Sequence, residues 1–102
     1  MKYNFVFHPA VRGEILDAME YLGEQREGYD ILFNLRVDEA ITQIITTPTR
    51  WTKMESFRHR YRKLLTKPFD KSYSIYYDFD GEVIEILSVF NNRRDDTVWK
   101  ER

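Results

Sequence analysis

Asp80-Gly81 stands between two runs of aromatic and β-branched residues, Ser72 to Phe79 and Glu82 to Phe90. An Asp-Gly pair in that setting is a preferred hairpin turn, because both positions accept positive φ. A two-residue loop pairs Phe79 with Glu82. Ile75 then faces Ile86 and Tyr77 faces Ile84, which makes one apolar face and marks it as the core side. The opposite face carries Ser74, Tyr76 and Asp78 with Val83, Glu85, Leu87 and Val89. It is half apolar and half polar, either a wet sheet surface or a docking surface.

Upstream of the hairpin the pattern turns helical. Tyr3 to Phe7 reads as a strand, and His8-Pro9 ends it. Pro9 suits the first turn of a helix, where its missing N–H costs nothing, and His8 reads as a cap. Val11, Ile15, Ala18, Met19 and Leu22 recur at helical spacing, with Glu14, Asp17 and Glu20 off that stripe. Gly23 or Gly28 can end this helix. A second helix begins near Asp30 as N-cap, buries Phe33, Val37, Ala40, Ile41 and Ile44, and stops at Pro48. The short link makes an antiparallel helical hairpin. Residues 46–56 read as a loop, residues 57–66 as a strand, and the tail from Asn91 as coil or a short helical turn. The order is β-α-α-β-β-β over a single domain of residues 1–102. It predicts an α+β fold, a helical hairpin packed on one face of a mostly antiparallel sheet.

The chain has no cysteine, which removes a disulfide framework and a Cys-based zinc site. No metal-ligand spacing of His and carboxylates stands out, no Gly-rich phosphate loop exists, and no cofactor is expected. The first residues are too polar for a signal sequence, and no apolar run reaches membrane-spanning length. A soluble, cytoplasmic protein is expected. Net charge is −1, but it is unevenly placed. Residues 1–49 hold four Lys/Arg and eight Asp/Glu, and residues 50–102 hold twelve and nine, so −4 and +3. An anionic partner is expected on the second half, unless the charges form only a solvated mixed surface.

The densest charge is Arg58, Arg60, Arg62 and Lys63. On a strand the three arginines share one side at ~6–7 Å spacing, from a rise of ~3.3 Å per residue. Phosphates, an acidic partner segment or water must relieve their repulsion, or they guard a solvated strand edge. His59 alternates with them and is expected to point inward. Arg93-Arg94-Asp95-Asp96 follows the last strand and reads equally as a salt-linked turn or as a contact. Trp51 is either an exposed contact or a lid on the core, with the lid favoured. Trp99 is expected to anchor the tail.

Taken in order, Tyr61-Arg62-Lys63-Leu64, Tyr73-Ser74-Ile75-Tyr76-Tyr77, Asp80-Gly81, Ile84-Glu85-Ile86-Leu87, Val89-Phe90-Asn91-Asn92-Arg93-Arg94-Asp95 and Trp99-Lys100-Glu101-Arg102 resemble the ParE/RelE toxin superfamily. The likeness covers nearly the whole chain. It implies a small bacterial toxin of a type II toxin–antitoxin (plasmid stabilisation) pair, neutralised by a cognate antitoxin. RelE-like members cleave mRNA on the ribosome; ParE-like members inhibit DNA gyrase. The ribonuclease branch carries a basic residue where this chain has Ser74, and often a Tyr near the end where it has Val98 and Trp99. The ParE-like pattern after the last strand is matched by Val89, Arg94, Asp95 and Trp99, with Asn91 in place of a His and Asp96 in place of a Pro. The resemblance therefore favours the gyrase-inhibiting branch, with the mRNA endonuclease as the alternative and an inactive antitoxin-binding remnant as a third reading. Arg58, Arg60, Arg62, Arg93 and Arg94 are candidates for target or phosphate contact. His59, Arg62 and Arg93 are the candidates for catalysis if there is any. Tyr76, Val83, Leu87 and Val89 are candidates for antitoxin contact.

Overall fold

His8 sets the start of the helical layer as expected, with the Ala10 N–H donating to its Nδ1 at 3.1 Å, while Pro9 falls just before the N-cap Ala10 and not in the helix's first turn. The computed structural model describes residues 3–94 and 97–102, the Thr97 side chain excepted. Its elements are β1 (Asn4–Phe7), α1 (Val11–Gln25), α2 (Tyr29–Thr46), β2 (Thr52–Lys53), β3 (Arg60–Leu64), β4 (Tyr73–Phe79), β5 (Val83–Asn91) and α3 (Thr97–Lys100). α1 runs through Gly23. Gly28, at φ +84°, caps α2, a left-handed geometry that glycine adopts without a Cβ clash. Asp30 therefore sits inside the first turn, where its charge favours the helix dipole, and not at the N-cap.

Among the described residues the sheet has five strands in the order β1-β5-β4-β3-β2. β1 is parallel to β5 and every other pairing is antiparallel. The α+β architecture is the expected one. The two-residue β2 was hidden in a polar loop with no alternation to reveal it. Val11, Ala18 and Leu22 of α1 and Phe33, Val37, Ala40 and Ile44 of α2 pack on Tyr73, Ile75, Tyr77, Ile84 and Ile86. Trp51 lies against that cluster as a lid.

The β4–β5 hairpin departs from the expected register in two places. Asp80 Oδ1 accepts the N–H groups of both Glu82 and Val83, at 2.9 and 3.0 Å. These bonds hold its carboxyl below the usual value and widen the turn, so that Phe79 pairs with Ile84 instead of Glu82. A shift of two keeps every side chain on its expected face. Further along, Tyr77 pairs with Ile86 but Tyr76 pairs with Ser88, so Leu87 is an extra residue and β5 bulges. Beyond the bulge the faces exchange. Val89 turns into the helix-side core opposite Ile75, while Ser88 and Phe90 turn to the second face.

β1 ends at Phe7, so β5 is open-edged from Leu87 onward, and two side chains close that edge. Glu14 of α1 accepts from the Val89 N–H at 3.1 Å and the Ser88 hydroxyl at 3.0 Å. Arg102 donates to the Leu87 carbonyl at 2.7 Å and pairs with Glu14 at 3.0 Å. The clasp ties the helical layer, the bulge and the tail together.

Two outcomes follow. Glu14→Ala leaves the Val89 N–H without its acceptor and Arg102 without its carboxylate, and should lower stability by about 2 kcal/mol in urea unfolding. Glu14→Gln, which keeps an acceptor but not the charge, should recover part of it. Tyr77 donates its hydroxyl to the buried Pro48 carbonyl, and burial, with Tyr61 beside it, raises its pKa far above that of a free phenol. Above about pH 10 the unfolded chain loses this proton while the folded chain keeps it, so stability falls as pH rises. Tyr77→Phe should be less stable at neutral pH by about 1 kcal/mol and should flatten the alkaline decline in a pH series of unfolding free energies.

Candidate functional site

β3 does not present the expected row of three arginines. The strand begins at Arg60, so Arg58 and His59 lie in the bend before it and both are exposed. His59 does not point inward, because period-two alternation does not extend into that bend. Its carbonyl accepts from the Phe79 N–H, which places it at the hairpin-turn end of the sheet beside Asp80.

Arg60 and Arg62 do share the second face, opposite Asp78 and Tyr76. Arg60 is 6% exposed and fully engaged. Its Nε and Nη2 donate to the two Asp78 oxygens at 2.8 and 3.1 Å, and Nη1 donates to the Trp99 carbonyl at 2.8 Å. Its plane also lies over the Phe57 ring, 4.5 Å from the centroid. This arginine holds the tail and is closed to phosphate. Arg62 is half-buried, and its buried Nε has no hydrogen-bond partner among the described residues. That atom is itself shielded from solvent, so it is not a donor an outside acceptor reaches in this geometry. Lys63 alternates to the other side, where its ammonium sits 4.2 Å from the Trp51 centroid. Burial first, then the Arg50 charge, lower its pKa.

The mixed second face is neither wet nor open over its middle. α3 lays Trp99 flat on Tyr76 at 4.1 Å between centroids, with Phe90, Phe57 and Met54 around it, as expected of a tail anchor. Tyr76 is 4%, Leu87 0% and Val89 3% exposed, so of the four expected antitoxin contacts only Val83, at 39%, faces solvent. Tyr76 is covered by Trp99, Leu87 by its place in the bulge, and Val89 by the face exchange that the bulge causes. Ser74, also buried, donates to Asn92 Oδ1 at 2.8 Å.

Arg93 and Arg94 lie beyond β5, exposed, at the end opposite His59. Asp95 and Asp96, and with them the expected salt-linked turn, fall outside the described residues. Arg94 lines a polar cleft of about 340 Å³ with Glu14, Asp17, Tyr21, Tyr73 and Asn91. Burial and then Tyr21 raise the Tyr73 pKa, while Arg94 and Arg93 act against them. Neither Tyr73, which looked like a strand aromatic, nor the helix carboxylates were legible as parts of a cleft. Asn91, where the resembling family has a His, gave the one usable signal. β4 runs seven residues, six steps of the strand, from Tyr73, opposite Asn91, to Phe79, bonded to His59. That separates the Arg93 end from the His59 end by ~20 Å, at a rise of ~3.3 Å per residue. His59 and Arg93 therefore cannot act on one phosphate as an acid–base pair, which needs hydrogen-bond reach. The cleft has one flanking guanidinium and two carboxylates, an arrangement for binding a polar group.

No family model matches the chain, and no curated protein matches it. No helix of the described residues is long and apolar enough to cross a membrane.

Replacing Arg60 by Ala should release the tail. In a Trp51→Phe background, Trp99 emission should shift to the red and the C-terminal segment should become protease-sensitive, with about 2 kcal/mol lost in urea unfolding. An unshifted emission maximum would show that Trp99 holds its place without Arg60.

Proposed function

We propose that the chain is the toxin half of a bacterial type II toxin–antitoxin pair, acting in the cytoplasm as a ParE-like, non-enzymatic inhibitor of DNA gyrase and held in check by a cognate antitoxin. The observation that carries this reading is the element order, a helical hairpin between β1 and a β3-β4-β5 meander, which is the order implied by the motifs that resemble the ParE/RelE superfamily. The separation of His59 from Arg93 supports the non-enzymatic branch over the ribosome-dependent mRNA endonuclease. Arg62, Arg93 and Arg94 are the target contacts in this reading. Arg62 lies half-buried on the second face, and Arg93 and Arg94 are exposed beyond β5, Arg94 lining the cleft.

An antitoxin segment on the second face meets a surface already occupied by Trp99. In this reading it either binds around the tail, through Val83 and the flanking basic residues, or displaces α3. An acidic, partly apolar segment suits the second half's +3 charge, and its affinity should fall with salt.

Controlled expression in bacteria tests the assignment. Growth arrest with a DNA-damage response and intact mRNA is expected, together with loss of supercoiling when the purified protein meets gyrase. An Arg93→Ala, Arg94→Ala double variant should relieve the arrest at unchanged protein level. Arrest with cleaved mRNA would transfer the assignment to the endonuclease branch. Absence of arrest at full expression would leave the antitoxin-binding remnant.

A further inference from the structure

β1 is the end strand of the sheet, and its sequence, Asn4-Phe5-Val6-Phe7, carries neither charge nor proline. Natural edge strands are commonly blunted by such residues, because an open row of N–H and C=O groups is a template for another strand. All four residues are exposed, with Phe5 at 43%, Val6 at 52% and Phe7 at 46%.

The parallel pairing with β5 settles which backbone groups are open. The His8 N–H donates to the Ile86 carbonyl. Residues of one strand alternate in direction, so Val6 and Asn4 also face β5, and Phe5 and Phe7 face outward. Tyr3 faces outward too, but its N–H is taken by the Ile45 carbonyl at the end of α2. On the other side Pro9 has no N–H to give. The open donors of this stretch are thus the N–H groups of Phe5 and Phe7, each with its own carbonyl beside it.

We propose that this edge pairs antiparallel with the same edge of a second copy of the chain, about a two-fold axis through Val6. In that register Phe5 of each copy exchanges both backbone bonds with Phe7 of the other, which satisfies both open donors of each copy at once. A register centred on Phe5 would require the occupied N–H of Tyr3, and one centred on Phe7 would require the missing N–H of Pro9. Phe5-Val6-Phe7 also reads the same in both directions, as an isologous interface needs. On the helix side each Phe5 meets the partner's Phe7. Phe5 and Phe7 already stack edge to face at 5.6 Å, and an apolar groove of about 600 Å³ beside them, lined by Ile41 and Ile45, receives the incoming rings. On the second face Val6 meets Val6, and Asn4 stands opposite His8. Each class of side chain faces its own kind.

The chain has no cysteine, so Val6→Cys reports this register directly. Val6 forms a non-hydrogen-bonded pair with itself, with Cα atoms ~4.5 Å apart, inside the range a disulfide spans. Mild oxidation of the full chain should give one disulfide-linked dimer, while Thr52→Cys, on the opposite edge, should give none under the same conditions. In sedimentation equilibrium the native chain should dimerise. Val6→Lys and Val6→Glu, alone, should each raise the dissociation constant by at least about tenfold, a cost of about 1.4 kcal/mol, and their mixture should restore the dimer. Circular dichroism and unchanged urea midpoints would show that each variant is folded. A native chain that stays monomeric at millimolar concentration would overturn the proposal. So would a dimer indifferent to both charge substitutions, or one that Val6→Cys fails to cross-link.

Discussion

The extra residue at Leu87 decides what each face of this sheet does. Without it, β5 would carry Val89 outward and Ser88 and Phe90 into the helical layer. With it, Val89 completes the core opposite Ile75, and Phe90 joins Tyr76 on the second face, where Trp99 finds an aromatic platform. A bulge leaves backbone groups unpaired, and here they lie on the open edge past the end of β1. Glu14 and Arg102 bond those groups and each other, one arriving from the helices and the other from the tail. The third layer of the molecule exists because the second strand face was re-aimed and its edge was closed.

That third layer changes what the basic strand can do. Arg60 looks, in sequence, like one of three equivalent cations. In place it is a buried bidentate partner of Asp78 and the donor to Trp99, so its charge is spent inside the chain. Breaking a buried pair leaves an uncompensated charge, which is why removing one partner is far more damaging than never having the pair. The exposed arginines among the expected contacts divide between the two ends of the sheet. Arg58 sits with His59 near the hairpin turn, and Arg93 and Arg94 sit beyond β5.

The helices, the hairpin and the order of elements were legible because each rests on a local rule: apolar spacing at period 3.6, alternation at period 2, and an Asp-Gly turn. Pro48 and Trp99 also did what their positions suggested. The misreadings share a cause. The four-residue turn comes from one Asp80 carboxylate capping two N–H groups, and the bulge from edge bonds to residues over seventy positions away in Glu14. Neither leaves a mark in the pattern of apolar residues. Val89 was placed on the wrong face for that reason. Tyr76 was placed on the right face, but the tail that covers it could not be oriented from sequence. The cleft around Tyr73 was missed because its walls come from α1, β4 and β5, which meet only in three dimensions.

The uneven charge along the chain becomes a division between layers. The acidic half is β1 and the helical hairpin; the basic half is the remaining sheet and the tail. The fixed charge of the helix side is therefore net negative, and that of the remaining sheet and tail net positive. β1 belongs to the acidic half by position but has no charge of its own. At this edge long-range electrostatics neither recruits nor excludes an anionic strand strongly. Backbone complementarity and aromatic contact remain as the selecting forces, and both favour a strand whose pattern matches Phe5-Val6-Phe7. The charged ends of the sheet and the uncharged edge thus rest on different physics at different places, and a substitution at one leaves the other's chemistry in place.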